Sequence, residues 1–288
     1  MSIIQKTLGA YFRVLRGHPL AVGVILACFA VVLGYTFYID RLLHGVGYLG
    51  AVVAGGIITD IVVLKWPKET VGFPIKKPVK QELALIIICT LLGLGFLIVR
   101  FFIGWESLMG LVKLMLLPFI LFAFPVVLGL VYLFKYKYKL KELGVNLNYW
   151  YLPLILHLLW GAVTLTVAPD KSHWKEAWVE YGVVDMLFTG IVTAALSEEF
   201  VRMLFQTRIG NAVNNFATGF VIASAIWAFM HVPVFFRDNP DGKAYEAVIG
   251  AVCIMPLGFF WGYLTYRTKS MIPAILMHGF NLWGLQNM

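Results

Sequence analysis

Long apolar runs alternate with short polar connections along almost the whole chain. Most runs hold about 20 residues, the length that an α-helix needs to cross the hydrocarbon core of a membrane. They are continuously apolar, whereas the strands of a membrane β-barrel are shorter and alternate between apolar and polar positions. The last run is short and amphipathic. The runs lie near residues 20–39, 46–64, 83–104, 108–134, 149–168, 183–206, 216–236, 246–266 and 271–287. The pattern predicts an all-α, polytopic integral membrane helical bundle with eight or nine transmembrane helices.

The polar connections are all of loop size, and we find no internal repeat or low-complexity tract. We therefore expect residues 1–288 to form a single membrane domain. Composition supports this, because 60% of the residues are hydrophobic and 13% are charged, against about a quarter charged in soluble proteins. The net charge of +8 is explained by basic loops, so we expect membrane lipid as a partner and no nucleic acid.

Basic residues are concentrated in alternate connections. The first 19 residues, which we expect to be an amphipathic segment, contain Lys6, Arg13 and Arg16. The first loop has Arg41 alone, but the second and fourth loops are strongly basic. These two loops contain Lys65, Lys68, Lys76, Lys77 and Lys80, and Lys135, Lys137, Lys139 and Lys141. Because cytoplasmic loops of membrane proteins carry an excess of Lys and Arg, the amino terminus and residues 1–19 are predicted to be cytoplasmic.

Three ionisable side chains lie close together inside the sixth run, in the sequence Leu196-Ser-Glu-Glu-Phe-Val-Arg202. Ionisable residues at membrane depth are costly, which makes this segment a candidate functional site. On a helix, Glu198 and Arg202 are four residues apart, and Glu199 lies three before Arg202. Arg202 can therefore neutralise one carboxylate, which leaves the other available to activate water.

Two histidines in later apolar segments supply further candidate groups. His231 follows Trp227 by four residues, and His278 precedes Asn281 by three, so each pair shares a helical face. Two histidines and a spare carboxylate provide a base, a second group that handles protons, and donors for an oxyanion. Glu198, His231 and His278 are also a ligand set suited to catalytic zinc. The sequence leaves both mechanisms open, and it has neither a GxSxG nor an HExxH pattern.

The order of these motifs, Glu-Glu with a following Arg, an aromatic residue four before His, and then His followed closely by Asn, resembles one membrane-protease family. This is the CPBP family of intramembrane proteases, also called the Abi or CAAX-protease family, which includes the Rce1-type prenyl-protein endopeptidases. The resemblance covers about residues 180–288, which we therefore expect to hold the catalytic core helices. Two residues separate the Glu pair from Arg202, where the family usually has three, so either Ser197 and Glu198 or Glu198 and Glu199 occupy the two acidic positions. Glu198 is a carboxylate in both alignments.

The resemblance implies an intramembrane endopeptidase that cleaves a membrane-associated protein or peptide, with a prenylated CAAX protein as the best-known substrate class. It implies that Glu198, assisted by His231, activates water, and that His278 and Asn281 stabilise the oxyanion. Glu199 and Arg202 then set the charge state and position of Glu198, and Trp227 takes the aromatic position. The preferred mechanism requires no cofactor, and a divalent metal such as zinc, held by Glu198, His231 and His278, is the alternative.

Two functions of other classes compete with proteolysis. The first is a membrane protein of the same fold that acts by binding, as an immunity or scaffold protein. In that case the polar cluster only holds the helices together, although interhelical hydrogen bonds worth under ~2 kcal/mol each suffice for that purpose. The second is a proton-coupled transporter that uses a Glu and His relay, for which the hydropathy pattern gives no internal repeat.

Overall fold

The computed structural model describes residues 16–102, 125–167, 187–238 and 243–281, together with residues 11, 179, 182 and 184. Most of the predicted amphipathic segment 1–19, most of the predicted run 108–134, and the end of the run 271–287 lie outside these residues. Within them, every regular element is a helix and no strand occurs. The all-α prediction is therefore confirmed.

The helices follow the apolar runs closely. They are α1 Pro19–Tyr38, α2 Leu42–Lys65, α3 Val79–Phe102, α4 Pro125–Lys135, α5 Leu152–Val167, α6 Leu196–Ala212, α7 Phe216–Phe229, α8 Val232–Asp238, α9 Ala244–Thr268 and α10 Ile272–Asn281. A short 3-10 turn, Leu140–Leu143, follows α4. The last turn of α4, Val131–Lys135, is π-helical, and a π-helical segment, Phe188–Ala195, leads directly into α6.

Four stretches of the described chain are long and apolar enough to cross a membrane. They are Pro19–Tyr38, Leu42–Lys65, Phe216–Phe236 and Ala244–Thr268. Pro125–Lys135 and Leu152–Val167 are shorter apolar helices. These helices support a helical membrane protein, while the count of eight or nine spans and the cytoplasmic amino terminus stay predictions.

Local sequence explains where several helices begin and end. Pro19 opens α1, a position where the missing N–H of proline costs nothing. The side chain of Asn215 caps α7 by accepting a hydrogen bond from the backbone N–H of Thr218. The apolar run 216–236 forms two helices in the structure: α7 ends at Phe229 and α8 begins at Val232. His231 lies at the junction of these two helices.

The helices that carry the polar motifs pack together at the centre of the bundle. α7 packs against both α6 and α9, and α10 packs against the π-helical segment. The last contact is very close at Gly279, where an added Cβ would lie 2.7 Å from Ile191 Cγ1 and 3.0 Å from Ile191 Cα. Small residues allow such close approach between membrane helices. The fold therefore sets α10 directly against the segment that leads into α6.

Polar contacts join the basic connections at one end of the bundle. Lys76 Nζ lies 2.5 Å from Glu142 Oε2, and the Tyr149 hydroxyl donates to the Trp66 carbonyl at 3.0 Å. The amide of Asn146 donates to the carbonyl of Lys269 at 2.8 Å. These contacts connect the segments 66–78, 136–151 and 269–271. We call this side of the molecule the basic end.

A buried ion pair near the basic end joins α3 to α6. Arg208 Nε lies 2.7 Å from Glu82 Oε2, and both side chains are buried. The Tyr138 hydroxyl donates to the other oxygen of Glu82 at 2.6 Å. Burial and this hydrogen bond raise the pKa of Tyr138 to about 12, so the phenol stays protonated and donates. The sequence pattern gave no indication of Glu82, which lies in the first turn of α3 and pairs with a residue far along the chain.

Candidate active site

Helices α6, α7 and α10 bring the predicted site residues together. Glu198 and Glu199 lie in the first turn of α6, directly after the π-helical segment, and Trp227 lies near the end of α7. His231 follows α7, and His278 lies in α10. π-helical geometry is rare, and where it occurs within helices it is frequently found at functional sites.

Glu199 is the carboxylate that pairs with Arg202. The two side chains form an ion pair inside the bundle, with Glu199 0% and Arg202 1% exposed. Arg202 Nη1 also donates to the carbonyl of Gly258 in α9 at 3.2 Å. Glu199 Oε1 lies 3.1 Å from Nδ1 of His278. Glu199 is therefore occupied by an arginine on one side and an imidazole on the other.

Glu198 has a different environment, although it is the next residue along the chain. Its side chain is 30% exposed, and its Oε2 accepts a hydrogen bond from the indole Nε1 of Trp227 at 2.6 Å. The same oxygen lies 3.8 Å from His231 Nε2 and 3.6 Å from His278 Nε2. These two separations exceed an ordinary hydrogen bond, so the imidazoles surround the carboxylate without direct bonds to it.

Each imidazole has a second contact that orients its ring. His231 Nδ1 lies 2.9 Å from the carbonyl of Trp227, and His278 Nδ1 faces Glu199. In both rings this contact leaves Nε2 as the nitrogen nearest to Glu198. A fixed contact at one ring nitrogen sets the role of the other, which is how proteins select a histidine for proton transfer.

Trp261 of α9 belongs to the same cluster, and sequence reasoning missed it. Its ring stacks on His278, with centroids 3.8 Å apart and an angle of 12° between the planes. Trp227 meets the rings of both Trp261 and His278 edge to face. Trp261 belongs to none of the three motifs, and only the packing of α9 against α10 reveals its contact with His278.

Asn281 is buried at the end of the described part of α10, three residues after His278. The structure thus places it on the same helix as His278, as the sequence predicts. Its role as a donor to an oxyanion stays a prediction.

Glu198, His231 and His278 are the ligand set of the alternative zinc mechanism, and the Nε2 atoms of the two histidines lie 3.8 and 3.6 Å from Glu198 Oε2. Among the residues that the structure describes, no group of three or more His, Cys, Asp or Glu side chains is arranged to hold a metal ion. The zinc mechanism stays a prediction from the sequence.

A cavity of about 270 Å³ opens beside Glu198. It lies between α3, α4, α6 and α7, and Glu198, Trp227 and His231 form part of its wall. Most of the remaining wall is apolar. The partly exposed carboxylate of Glu198 is therefore accessible to a molecule in the cavity, whereas Glu199 is completely buried.

Comparison with known families adds an independent observation. Residues 179–283 match the family model described as Rce1-like, type II CAAX prenyl endopeptidase. This segment is similar to the Rce1-like CAAX proteases. The match covers a little over a third of the chain and includes Glu198, His231, His278 and Asn281. No curated protein and no solved structure matches the chain. The resemblance inferred from the motifs is confirmed, and the Rce1-like match supports a CAAX-protease type of function.

Proposed function

We propose that this protein is an intramembrane endopeptidase that cleaves a peptide bond in a membrane-associated protein or peptide. The main support is the contrast between two adjacent carboxylates. Glu199 is buried against Arg202, while Glu198 faces a cavity and has the Nε2 atoms of two histidines within 3.8 Å of one oxygen. A carboxylate that only held helices together would not need access to a cavity or two imidazoles beside it.

In the proposed reaction, Glu198 is the general base. Trp227 holds its Oε2, so we assign the water to Oε1. The carboxylate removes a proton from this water while the oxygen attacks the peptide carbonyl carbon. The resulting tetrahedral intermediate then releases an amine, which receives the proton. We assign His231 the assisting role in this transfer. Its Nε2 lies 3.8 Å from Glu198 Oε2, and a water molecule that contacts both atoms can carry the proton between them.

His278 has a role distinct from that of His231. Its Nδ1 faces Glu199 at 3.1 Å, which orients the ring. Nε2, the ring nitrogen nearest to Glu198, and Asn281 are the proposed donors to the developing oxyanion. Glu199, which Arg202 holds in an ion pair, keeps His278 in place. One oriented donor of this kind is worth about 10²–10³ in kcat.

Peptide termini in membranes provide a test. Membranes that contain the wild-type chain, Glu198→Gln or Glu69→Gln at matched levels are compared by mass spectrometry. Glu69 is exposed in the loop after α2, so its substitution is a matched control for the loss of a carboxylate. We expect new termini with the wild type and Glu69→Gln, and at least a ~100-fold loss with Glu198→Gln, because general-base catalysis contributes about 10²–10⁴.

Two results would contradict the proposal in different ways. Equal cleavage by the wild type and Glu198→Gln would show that Glu198 is not the base. If no termini depend on the wild-type chain across several host membranes, the protein is not a protease in those membranes, and the binding function becomes the better explanation.

A further inference from the structure

Much of the wall of the cavity beside Glu198 is apolar, and we call this part of the cavity the apolar recess. Helices α3, α4, α6 and α7 contribute to it, and none of its side chains is charged. The apolar members of the wall include Cys89 of α3, Leu128 of α4, Phe205 of α6, and Ala223, Ile226 and Met230 of α7. The charged members Glu198 and Arg202 lie on α6, and Arg202 is already paired with Glu199.

The size of the recess limits what fits inside it. A dry apolar cavity of about 150 Å³ accommodates benzene, so a cavity of about 270 Å³ in total has room for one large aliphatic or aromatic side chain in its apolar recess. A charged side chain would be left without a partner, because the carboxylate is the catalytic base and the guanidinium is already bound. Leaving a charge unpaired in an apolar site costs several kcal/mol.

We infer that this recess is a specificity pocket that receives an apolar side chain of the substrate, from a residue directly beside the cleaved bond. The inference rests on the proposed function. The reason is that Glu198 and the residues of the recess line one and the same cavity. A peptide carbonyl placed at Glu198 therefore has its neighbouring side chain within reach of the recess.

Ala223 contributes a small side chain to the wall of this pocket. It is 1% exposed and lies in α7 four residues before Trp227, so the two side chains occupy the same helical face. Trp227 binds Glu198, which places Ala223 one helical turn away from the catalytic carboxylate. A larger side chain at position 223 would extend into the recess and shorten it. Ile226 lines the same cavity, and its truncation would enlarge the recess.

Three variants test this assignment. Ala223→Leu reduces the pocket, and Ile226→Ala enlarges it. Ala225→Leu makes the same change as the first variant on the same helix, at a half-buried position that does not line the cavity. The experiment identifies peptide termini in membranes that contain each variant and counts the residue types on both sides of every bond that the wild type cleaves.

We expect the residue preference at one position beside the cleaved bond to change in opposite directions. Ala223→Leu should lower cleavage beside large apolar substrate residues, compared with cleavage beside substrate alanines, by about 10–200-fold. This is the discrimination that one methylene in an apolar pocket provides. Ile226→Ala should favour larger residues, and Ala225→Leu should retain the wild-type preference.

The outcomes separate this inference from the proposed function. A lack of any termini that depend on the wild-type chain contradicts proteolysis itself. If termini are present but their residue preference is identical in all four proteins, the pocket assignment is wrong. If Ala223→Leu and Ile226→Ala change only the total amount of cleavage, the recess holds a lipid chain or another molecule, and the assignment is also wrong. If Ala223→Leu does not fold, the residue preference of Ile226→Ala decides whether the pocket assignment is right.

Discussion

Removing Arg202 should destabilise the protein more than removing Arg202 and the charge of Glu199 together. The reason is the burial of the pair, since the two side chains are 1% and 0% exposed. In Arg202→Met, the carboxylate of Glu199 stays inside the bundle and keeps His278 as its remaining partner among the described residues. In the double variant with Glu199→Gln, no charge is left, and the glutamine side chain retains an oxygen that faces His278.

The expected magnitudes follow from the behaviour of buried ion pairs. Breaking such a pair from one side costs about 3–5 kcal/mol, whereas replacing both partners is often close to neutral. With about 2–4 °C per kcal/mol for a large domain, Arg202→Met should lower the melting temperature by roughly 6–20 °C. Adding Glu199→Gln should recover at least ~2 kcal/mol of that loss.

Thermal unfolding of the purified protein in detergent, followed by tryptophan fluorescence, provides the measurement. The wild type, both single variants and the double variant form a double-mutant cycle. A double variant whose loss of stability equals the sum of the two single losses would refute the reasoning, because independent sites behave in that way. A melting temperature for Arg202→Met equal to that of the wild type would refute it as well.

Two further predictions concern the surroundings of the site and the basic end. Trp261→Phe should retain more activity than Trp261→Leu, with the loss in kcat and not in KM, since a phenyl ring still stacks on His278; equal kcat in both variants would mean that the ring has no positioning role. The pKa of Glu142 lies below its usual value of 4.5 because the backbone N–H of Lys139 and the side chain of Lys76 bond to the carboxylate. Its stabilising contribution, under about 1 kcal/mol for an ion pair near the surface, should be complete above that value and disappear as the pH falls through the lowered pKa. Glu142→Gln should therefore reduce stability at pH 7 and have no effect near pH 2, and a loss of equal size at both pH values would contradict this.

The sequence identifies the residues of the candidate site, but it does not show which of the two carboxylates pairs with Arg202. Glu198, Glu199 and Arg202 could be recognised because charges are rare in apolar helices. Their spacing allowed Arg202 to pair with either carboxylate, and the structure selects Glu199 through contacts that other helices make. Arg202 also donates to Gly258 of α9, and Glu199 faces His278 of α10, so tertiary packing decides between two partners that helical geometry alone treats as similar.

Two buried residues lay beyond the reach of the sequence pattern for different reasons. Glu82 begins an apolar helix, a position where an acidic residue is ordinarily explained by the helix dipole, and its partner Arg208 is 126 residues away. Trp261 lies in an apolar helix that contains several aromatic residues, so nothing in its local sequence distinguishes it from a packing residue. For both residues, the informative contact joins distant parts of the chain.

Gly279 shows that the arrangement of the candidate site also depends on a residue without a functional group. Its neighbour His278 approaches Glu198 and Glu199 only because α10 lies almost in backbone contact with the segment before α6. Any side chain at position 279 would act as a spacer between the two helices and displace the imidazole from both carboxylates. Substitution at position 279 is thus limited by a distance between two main chains, a constraint that a search for reactive side chains does not detect.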